Sequence, residues 1–378
     1  MRLAVILAAA LLAALPARAI ETPAHAAIVL DVTSQTVLME KNADEPLPPA
    51  SMSKLMTLNM VFEALSDGRL GLEDQLPVSE TAWRKGGSKM FVRVGDRIRV
   101  ADLLRGVTVQ SGNDACIVFA EALAGSEAAF AEQMNRRAPE IGLTHSNFEN
   151  ATGWPGETHR MSVRDLSRLA ARIVTEFPDF HPLFSIREFT WEGITQQNRN
   201  PLLGLDLGVD GMKTGHTSEA GYGLVTSAER DGRRVVVVVA GLESNRQRAI
   251  ETEKLLNWAY REVRTGTLFP AGRPVAEASV WIGETETVGL APSDDVVVTV
   301  PFAVADEVQA RLRYDGPIPA PIRAGDRLGH LVIEAPGLEP MEHPLVATHD
   351  VGQGGALTRV MAGARLLLAR SPLPGMLD

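Results

Sequence analysis

Apolar positions along the chain change their spacing several times. Residues 27–32 read Ala-Ile-Val-Leu-Asp-Val, a polar turn follows at 33–35, and 36–39 read Thr-Val-Leu-Met, which predicts an opening β-hairpin. After Pro48 and Pro49, which resist helix, Leu55, Met56, Met60, Val61 and Leu65 recur at helical spacing, predicting a helix from Ser51 to about Gly68. Residues 100–104 and 115–124 continue the helical pattern around a loop at 110–113, and 163–175 form an amphipathic helix closed by Pro178. Short β-rich runs return at 222–228 and 234–240, joined by Asp231-Gly232, with a helix expected at 249–263. Past residue 266 the helical period disappears. Apolar runs at 278–282, 296–300, 308–314 and 330–334 alternate with Gly and Pro turns, the pattern of a separate all-β domain.

Both ends of the chain differ from this. Arg2, an apolar run over 3–15, Pro16 and the small residues of Ala17-Arg18-Ala19 predict a secretory signal peptide over 1–19. The apolar run is shorter than the roughly 20 residues that span a bilayer. After Gly354-Gly355, the residues Leu357, Val360, Met361, Ala364, Leu367 and Leu368 share one helical face, with Arg359, Arg365 and Arg370 off it and Leu366 breaking the pattern. An apolar stripe flanked by arginines suits a helix lying in a membrane interface; packing on its own protein or on a second copy is the alternative. The expected organisation is therefore a signal peptide at 1–19, an α/β (α+β) domain at 24–264, a small sandwich-like all-β domain at 265–350 and an amphipathic helix at 354–370.

Composition narrows the function. A chain of 378 residues that is 45% hydrophobic buries a sizeable core and is not disordered. A formal charge of −10 argues against nucleic acid as a partner. The single cysteine, Cys116, excludes an internal disulfide and a cysteine zinc site, and none of the 8 histidines falls in a metalloprotease spacing. No metal or other cofactor is expected, and His145 and His159 read as packing or loop residues.

Candidate chemistry begins at Ser51-Met52-Ser53-Lys54, where a spacing of three puts the Lys54 amine within reach of the Ser51 hydroxyl. A serine needs a neighbouring base, and a lysine held neutral by burial and a second cation can serve. Alone the spacing is weak, since roughly one is expected by chance in such a chain. Ser111-Gly112-Asn113 adds a hydroxyl and a carboxamide in the interhelical loop; singly, such a tripeptide is a turn. Lys213-Thr214-Gly215, expected just before the β-hairpin, offers a cation and hydroxyl for a carboxylate and a glycine for close backbone approach, or a tight turn. Cys116 reads as a small buried residue rather than a nucleophile, since no histidine is adjacent to activate it. The glycines of 86–92 suit a mobile loop near a cleft or a plain turn.

The serine-x-x-lysine, serine-x-asparagine and lysine-threonine-glycine set, in that order, is the signature of penicillin-binding proteins and serine β-lactamases. Residues 48–57 (PPASMSKLMT), 86–92 (GGSKMFV), 110–116 (QSGNDAC) and 209–217 (VDGMKTGHT) together resemble the low-molecular-mass penicillin-binding proteins that are serine D-Ala-D-Ala carboxypeptidases, the peptidase S11 family. The layout of signal peptide, catalytic domain, β-rich domain and C-terminal amphipathic anchor resembles theirs too. That resemblance implies Ser51 as acylated nucleophile, Lys54 as base, Ser111 as proton relay to the leaving D-alanine and Asn113 as substrate ligand. Backbone amides of Ser51 and His216 would form the oxyanion hole. Lys213 would contribute positive potential that favours a neutral Lys54, Gly215 would let the substrate backbone lie close along the strand edge, and Thr214 with Arg248 would grip the terminal carboxylate, Arg246 being a neighbouring candidate. Implied partners are the peptidoglycan stem peptide, β-lactams as covalent inhibitors and a membrane surface, at the periplasmic face of the inner membrane. Two other readings remain: a serine β-lactamase, for which Glu149-Asn150 lies in a suggestive interval without that enzyme's loop pattern, and a non-catalytic wall-binding scaffold.

Overall fold

The computed structural model describes residues 20–336 and 339–356, with 358 and 360, and they divide into two compact units between residues 260 and 261. The predicted signal peptide and the body of the amphipathic segment lie outside the described residues. Among the described residues no helix is long and apolar enough to cross a membrane.

The first unit is built on a five-stranded sheet of β1 (Ala26–Asp31), β2 (Thr36–Lys41), β3 (Val209–Thr217), β4 (Gly221–Arg230) and β5 (Arg233–Leu242), ordered β2-β1-β5-β4-β3. All its pairings are antiparallel. Strand β5 shows how the sheet sits in the fold. Val236, Val238 and Ala240 enter one hydrophobic cluster and Val235, Val237 and Val239 another. Because strand side chains alternate faces, the unbroken apolar run of β5 means burial on both sides of the sheet. Helices α1 (Lys54–Ser66), α2 (Glu80–Arg84), α3 (Val100–Thr108), α4 (Asn113–Ala124), α5 (Glu127–Glu140) and α6 (Val163–Glu176) precede β3, and α7 (Asn245–Arg261) follows β5. The larger cluster joins Ile28 and Val238 to Leu58, Leu104, Ile117 and Leu169 of the helices. The smaller joins Val29 and Val237 to Leu255, Leu256 and Ala259 of α7.

Three local expectations are corrected. The helix predicted from Ser51 starts as a 3-10 turn at Ala50–Ser53, and α1 itself begins at Lys54. Lys213-Thr214-Gly215 is not a connector before the hairpin but the middle of β3, paired with β4 at Thr214↔Leu224 and Gly215↔Gly223. Gly and Asp lower the strand propensity of that segment, and pairing with β4 overrides it. Helix α5 was not anticipated, although Ser126 caps it by accepting from the Ala129 amide and Phe130, Met134 and Ala138 recur every four residues on its buried side.

The second unit is all β. It consists of β6 (Val263–Phe269), β7 (Ala276–Trp281), β8 (Thr287–Pro292), β9 (Val296–Pro301), β10 (Gln309–Arg313), β11 (Ile318–Pro319), β12 (Arg327–Glu334) and β13 (Met341–Ala347). A six-stranded sheet runs β10-β12-β13-β8-β7-β11, and β6 pairs with β9 in a two-stranded one. Its core gathers Val288, Leu290, Val298, Ile333 and Leu345. Val263, expected to end the last helix, opens β6 instead.

Candidate active site

The serine-lysine pair is set by a tight turn. Ala50 has φ +48°, the 3-10 turn Ala50–Ser53 follows, and the Lys54 amide closes it on the Ser51 carbonyl. Residues three apart eclipse in a 3-10 turn. The Lys54 Nζ accordingly donates to Ser51 Oγ at 2.7 Å, and also to the Thr152 carbonyl. Gly153 makes that second contact possible: it has φ +75°, and a Cβ there would lie 2.0 Å from the Ala50 carbonyl oxygen. Lys54 is wholly buried. Burial brings its ammonium down to about 8, and the cations Arg199 and Lys85 push the same way, with Cys116 and Asp114 opposing. The buried Cys116 thiol is itself pushed up to about 12 by burial, so it opposes Lys54 only once ionised.

Strand β3 forms one edge of its sheet, and Asn200 Nδ2 donates to its Gly211 carbonyl at 2.8 Å. Lys213 on it is buried, and burial followed by the repulsion of Lys54 lowers its ammonium well below the ordinary value. Its Nζ donates to the Thr214 carbonyl at 3.1 Å. The turn carrying Ser51 packs directly on this strand: a Cβ on Gly215 would come 2.8 Å from the Pro49 carbonyl oxygen and 3.0 Å from Met52. His216 stacks on Tyr222 with ring centroids 3.9 Å apart. Arg248 is buried against β3 and β4, donating from Nη1 to the carbonyls of Gly215 and Gly223 and from Nη2 to Asn245 Oδ1. Burial lowers it to about 10. Arg246, the alternative candidate, is exposed.

Ser111 and Asn113 arrive at the junction of α3 and α4, with Ser111 at φ +61°. The Ser111 hydroxyl and Asn113 Oδ1 are buried with no hydrogen-bond partner among the described residues. Asn113 Nδ2 donates to the Gly86 carbonyl at 2.8 Å and its backbone amide to the Ser88 carbonyl at 2.7 Å. The 86–92 segment is thus not a free loop but is tied to α4. Buried Asp114 completes the tie, its carboxylate accepting from the amides of Met90, Phe91 and Val92 and from Ala115. Sequence reasoning missed both Asp114 and Arg199. The latter donates to the Ser88 hydroxyl and adds positive potential to Lys54 and Lys213. Asp114 had a signal, standing beside the motif at the first turn of a helix; Arg199 had none.

Other candidates are occupied elsewhere. The Glu149 carboxylate accepts from the Thr158 amide and hydroxyl, which hold it below its usual range. His159 is buried against Phe148, accepts from the Glu149 amide and is pushed down to about 4 by burial. His145 is exposed beside Asp44. No group of three or more His, Cys, Asp or Glu able to hold a metal ion occurs among the described residues.

The D-alanyl-D-alanine carboxypeptidase family profile matches residues 13–244, more than half of the chain. The chain belongs to that family. A second profile, the C-terminal domain of penicillin-binding protein 5, matches residues 264–353. Similar relatives include the D-alanyl-D-alanine carboxypeptidases DacD and DacC of Escherichia coli K12. DacD is 36% identical, with 88% of each chain covered; DacC is 37% identical, with 89% of this chain and 86% of DacC covered. Penicillin-binding protein 5 of Haemophilus influenzae superposes with a TM-score of 0.82 at 35% identity, over 88% of this chain and 98% of that one. Penicillin-binding protein D2 of Listeria monocytogenes, solved in an ampicillin-bound form, is 31% identical with a TM-score of 0.59, covering 64% of this chain and 98% of its own. The protein is thus a serine-type hydrolase of the penicillin-binding group.

The Asp114 clamp gives a direct test. Asp114→Asn turns one acceptor oxygen into a donor facing backbone N–H groups, at a cost of about 2 kcal/mol. A thermal melt should show Tm lowered by roughly 5 °C.

Proposed function

We propose that the protein removes the terminal D-alanine from peptidoglycan stem peptides through an acyl-enzyme on Ser51. The single observation that carries this reading is the 2.7 Å contact between Ser51 Oγ and a fully buried Lys54 whose ammonium is lowered to about 8. Neutral Lys54 takes the Ser51 proton as Oγ attacks the carbonyl carbon of the penultimate D-alanine. The amides of Ser51 and His216 receive the oxyanion. As the tetrahedral centre collapses, the C–N bond breaks and Ser111 passes a proton to the departing amine. Thr214 with Arg248 binds the terminal carboxylate, and Asn113 and Gly215 align the substrate along β3. Arg199 and Lys85 supply the positive potential that favours a neutral Lys54, while Lys213, its own ammonium lowered by burial and by Lys54, lines the substrate strand. Water then cleaves the ester, returning Ser51 and a peptide shorter by one residue.

A β-lactam acylates the same oxygen but keeps its amine tethered after the ring opens, so the ester persists. The lactamase reading needs a carboxylate free to activate water, and the Glu149 carboxylate is taken up by Thr158. The signal segment predicted at 1–19 and the amphipathic segment predicted at 354–370 support a location outside the cytoplasm, on the periplasmic face of the inner membrane.

Fluorescent penicillin should label wild-type protein durably and leave Ser51→Ala unlabelled but folded; a labelled variant would reassign the nucleophile. A mass spectrum of a pentapeptide digest should show loss of a single alanine. Because only neutral Lys54 accepts a proton, the acylation rate should climb about tenfold per pH unit towards pH 8 and level off above it, as read by stopped-flow labelling. Removing residues 355–378 should move the protein from the membrane to the soluble fraction with hydrolysis retained; unchanged fractionation would refute the anchor.

A further inference from the structure

His181 is a buried side chain to which the reaction above gives no part. It opens the 3-10 turn His181–Ser185, which follows α6, and Phe184 of that turn belongs to the larger hydrophobic cluster, edge-on to Phe62 of α1. The turn packs on the first residues of β3: a Cβ on Gly211 would lie 3.0 Å from Phe184 Cβ and 3.8 Å from His181 Nε2. The ladder is irregular at this point. Ser227 of β4 pairs with Gly211 and Ala228 with Val209, so Asp210 between them is bulged out of register. A bulge interrupts the ladder and re-aims the side chain of the extra residue, which leaves Asp210 to be held by side-chain contacts.

One oxygen of Asp210 is taken. Arg234 Nη1 of β5 donates to Oδ2 at 2.7 Å and to Ser227 Oγ at 2.6 Å. The other, Oδ1, faces His181 Nε2 at 3.4 Å; both atoms are buried, and neither makes a hydrogen bond among the described residues. Burial opposes ionisation of Asp210, but His181 and Arg234 outweigh it and hold the carboxyl below its ordinary range. A carboxylate only accepts, so Nε2 must carry the proton that joins the two. A movement of a few tenths of an ångström brings the pair to hydrogen-bond length. The rest of this bracket is already closed: Asn200 Nδ2 holds the Gly211 carbonyl at 2.8 Å, and Asn198 Nδ2 holds the carbonyls of Phe184 and Ile186. Lys213-Thr214-Gly215 follows three residues after Asp210, on the same strand.

Resting on the carboxypeptidase reading, we infer that His181 is a positioning residue: by donating from Nε2 to Asp210 Oδ1 it holds the bulged start of β3 and so sets Thr214 and Gly215 for the peptide. It acts on the strand that binds rather than on the Ser51-Lys54 pair, so its loss weakens binding more than turnover. The test uses a diacetyl-lysyl-D-Ala-D-Ala peptide. His181→Phe keeps a ring against Phe184 and deletes the donor; it should raise KM about fivefold with kcat changed less than about twofold. His181→Gln, whose amide reaches as far as Nε2, should restore KM to within about twofold of wild type. His181→Asn stops one carbon short, should match His181→Phe, and replaces it if that variant takes penicillin label incompletely. In an Asp210→Ala background His181→Phe should add no further loss. An unchanged KM in His181→Phe and His181→Asn, a glutamine no better than phenylalanine, a loss carried by kcat, or a full additional loss on Asp210→Ala would each overturn the inference. Calorimetric titration of the same peptide into Ser51→Ala, with and without His181→Phe, needs no turnover. A peptide left uncut by wild-type protein yet bound about fivefold more weakly by the double variant would refute the carboxypeptidase reading and leave the role of His181 standing; a peptide that is cut but bound equally by both would do the reverse.

Discussion

Everything in the first unit is organised around a lysine placed where its charge is unwelcome. A fully buried amine loses hydration, and Arg199 and Lys85 push further against its charge, with Asp114 the carboxylate that opposes them. The arrangement holds because the backbone leaves the amine two acceptors, Ser51 Oγ and the Thr152 carbonyl. Hydrogen bonds to neutral acceptors, with no carboxylate in direct contact, separate this buried amine from a structural salt bridge.

That environment is assembled by the sheet and the helices packed on it. Burial on both faces makes β1, β4 and β5 a rigid floor, while β3 lies at the edge of the sheet. Glycines at 153 and 215 let three backbone segments meet at side-chain-free distances around the 3-10 turn. A methyl group at either position would occupy space already filled by main-chain oxygen.

Much of this was legible in the letters, and the rest was hidden for physical reasons. The unbroken apolar runs of β1 and β5 announce themselves because both faces of those strands are buried, and the stripe of α6 because one helical period matches one buried face. The three site motifs were visible as residue types in an order, and the structure brings Ser51, Lys54, Ser111, Asn113, Lys213 and Thr214 to elements that interlock through the contacts of Gly87, Gly153 and Gly215. Strand β3 was hidden because Asp210, Gly211 and Gly215 weaken every local strand signal and only pairing with β4 makes it a strand. Arg199 was hidden because its meaning is wholly electrostatic, arising from buried amines far away in the chain.

The lone thiol ends up in an unusual chemical situation. Cys116 has no exposed surface and ionises only near 12, so thiolate is essentially absent at any pH at which the enzyme works. Oxidants and alkylating reagents therefore meet an inert sulfur while α4 stays seated. Reactivity appears when that helix lifts from its neighbours, which makes the sulfur a built-in clock for the opening of the core around α4.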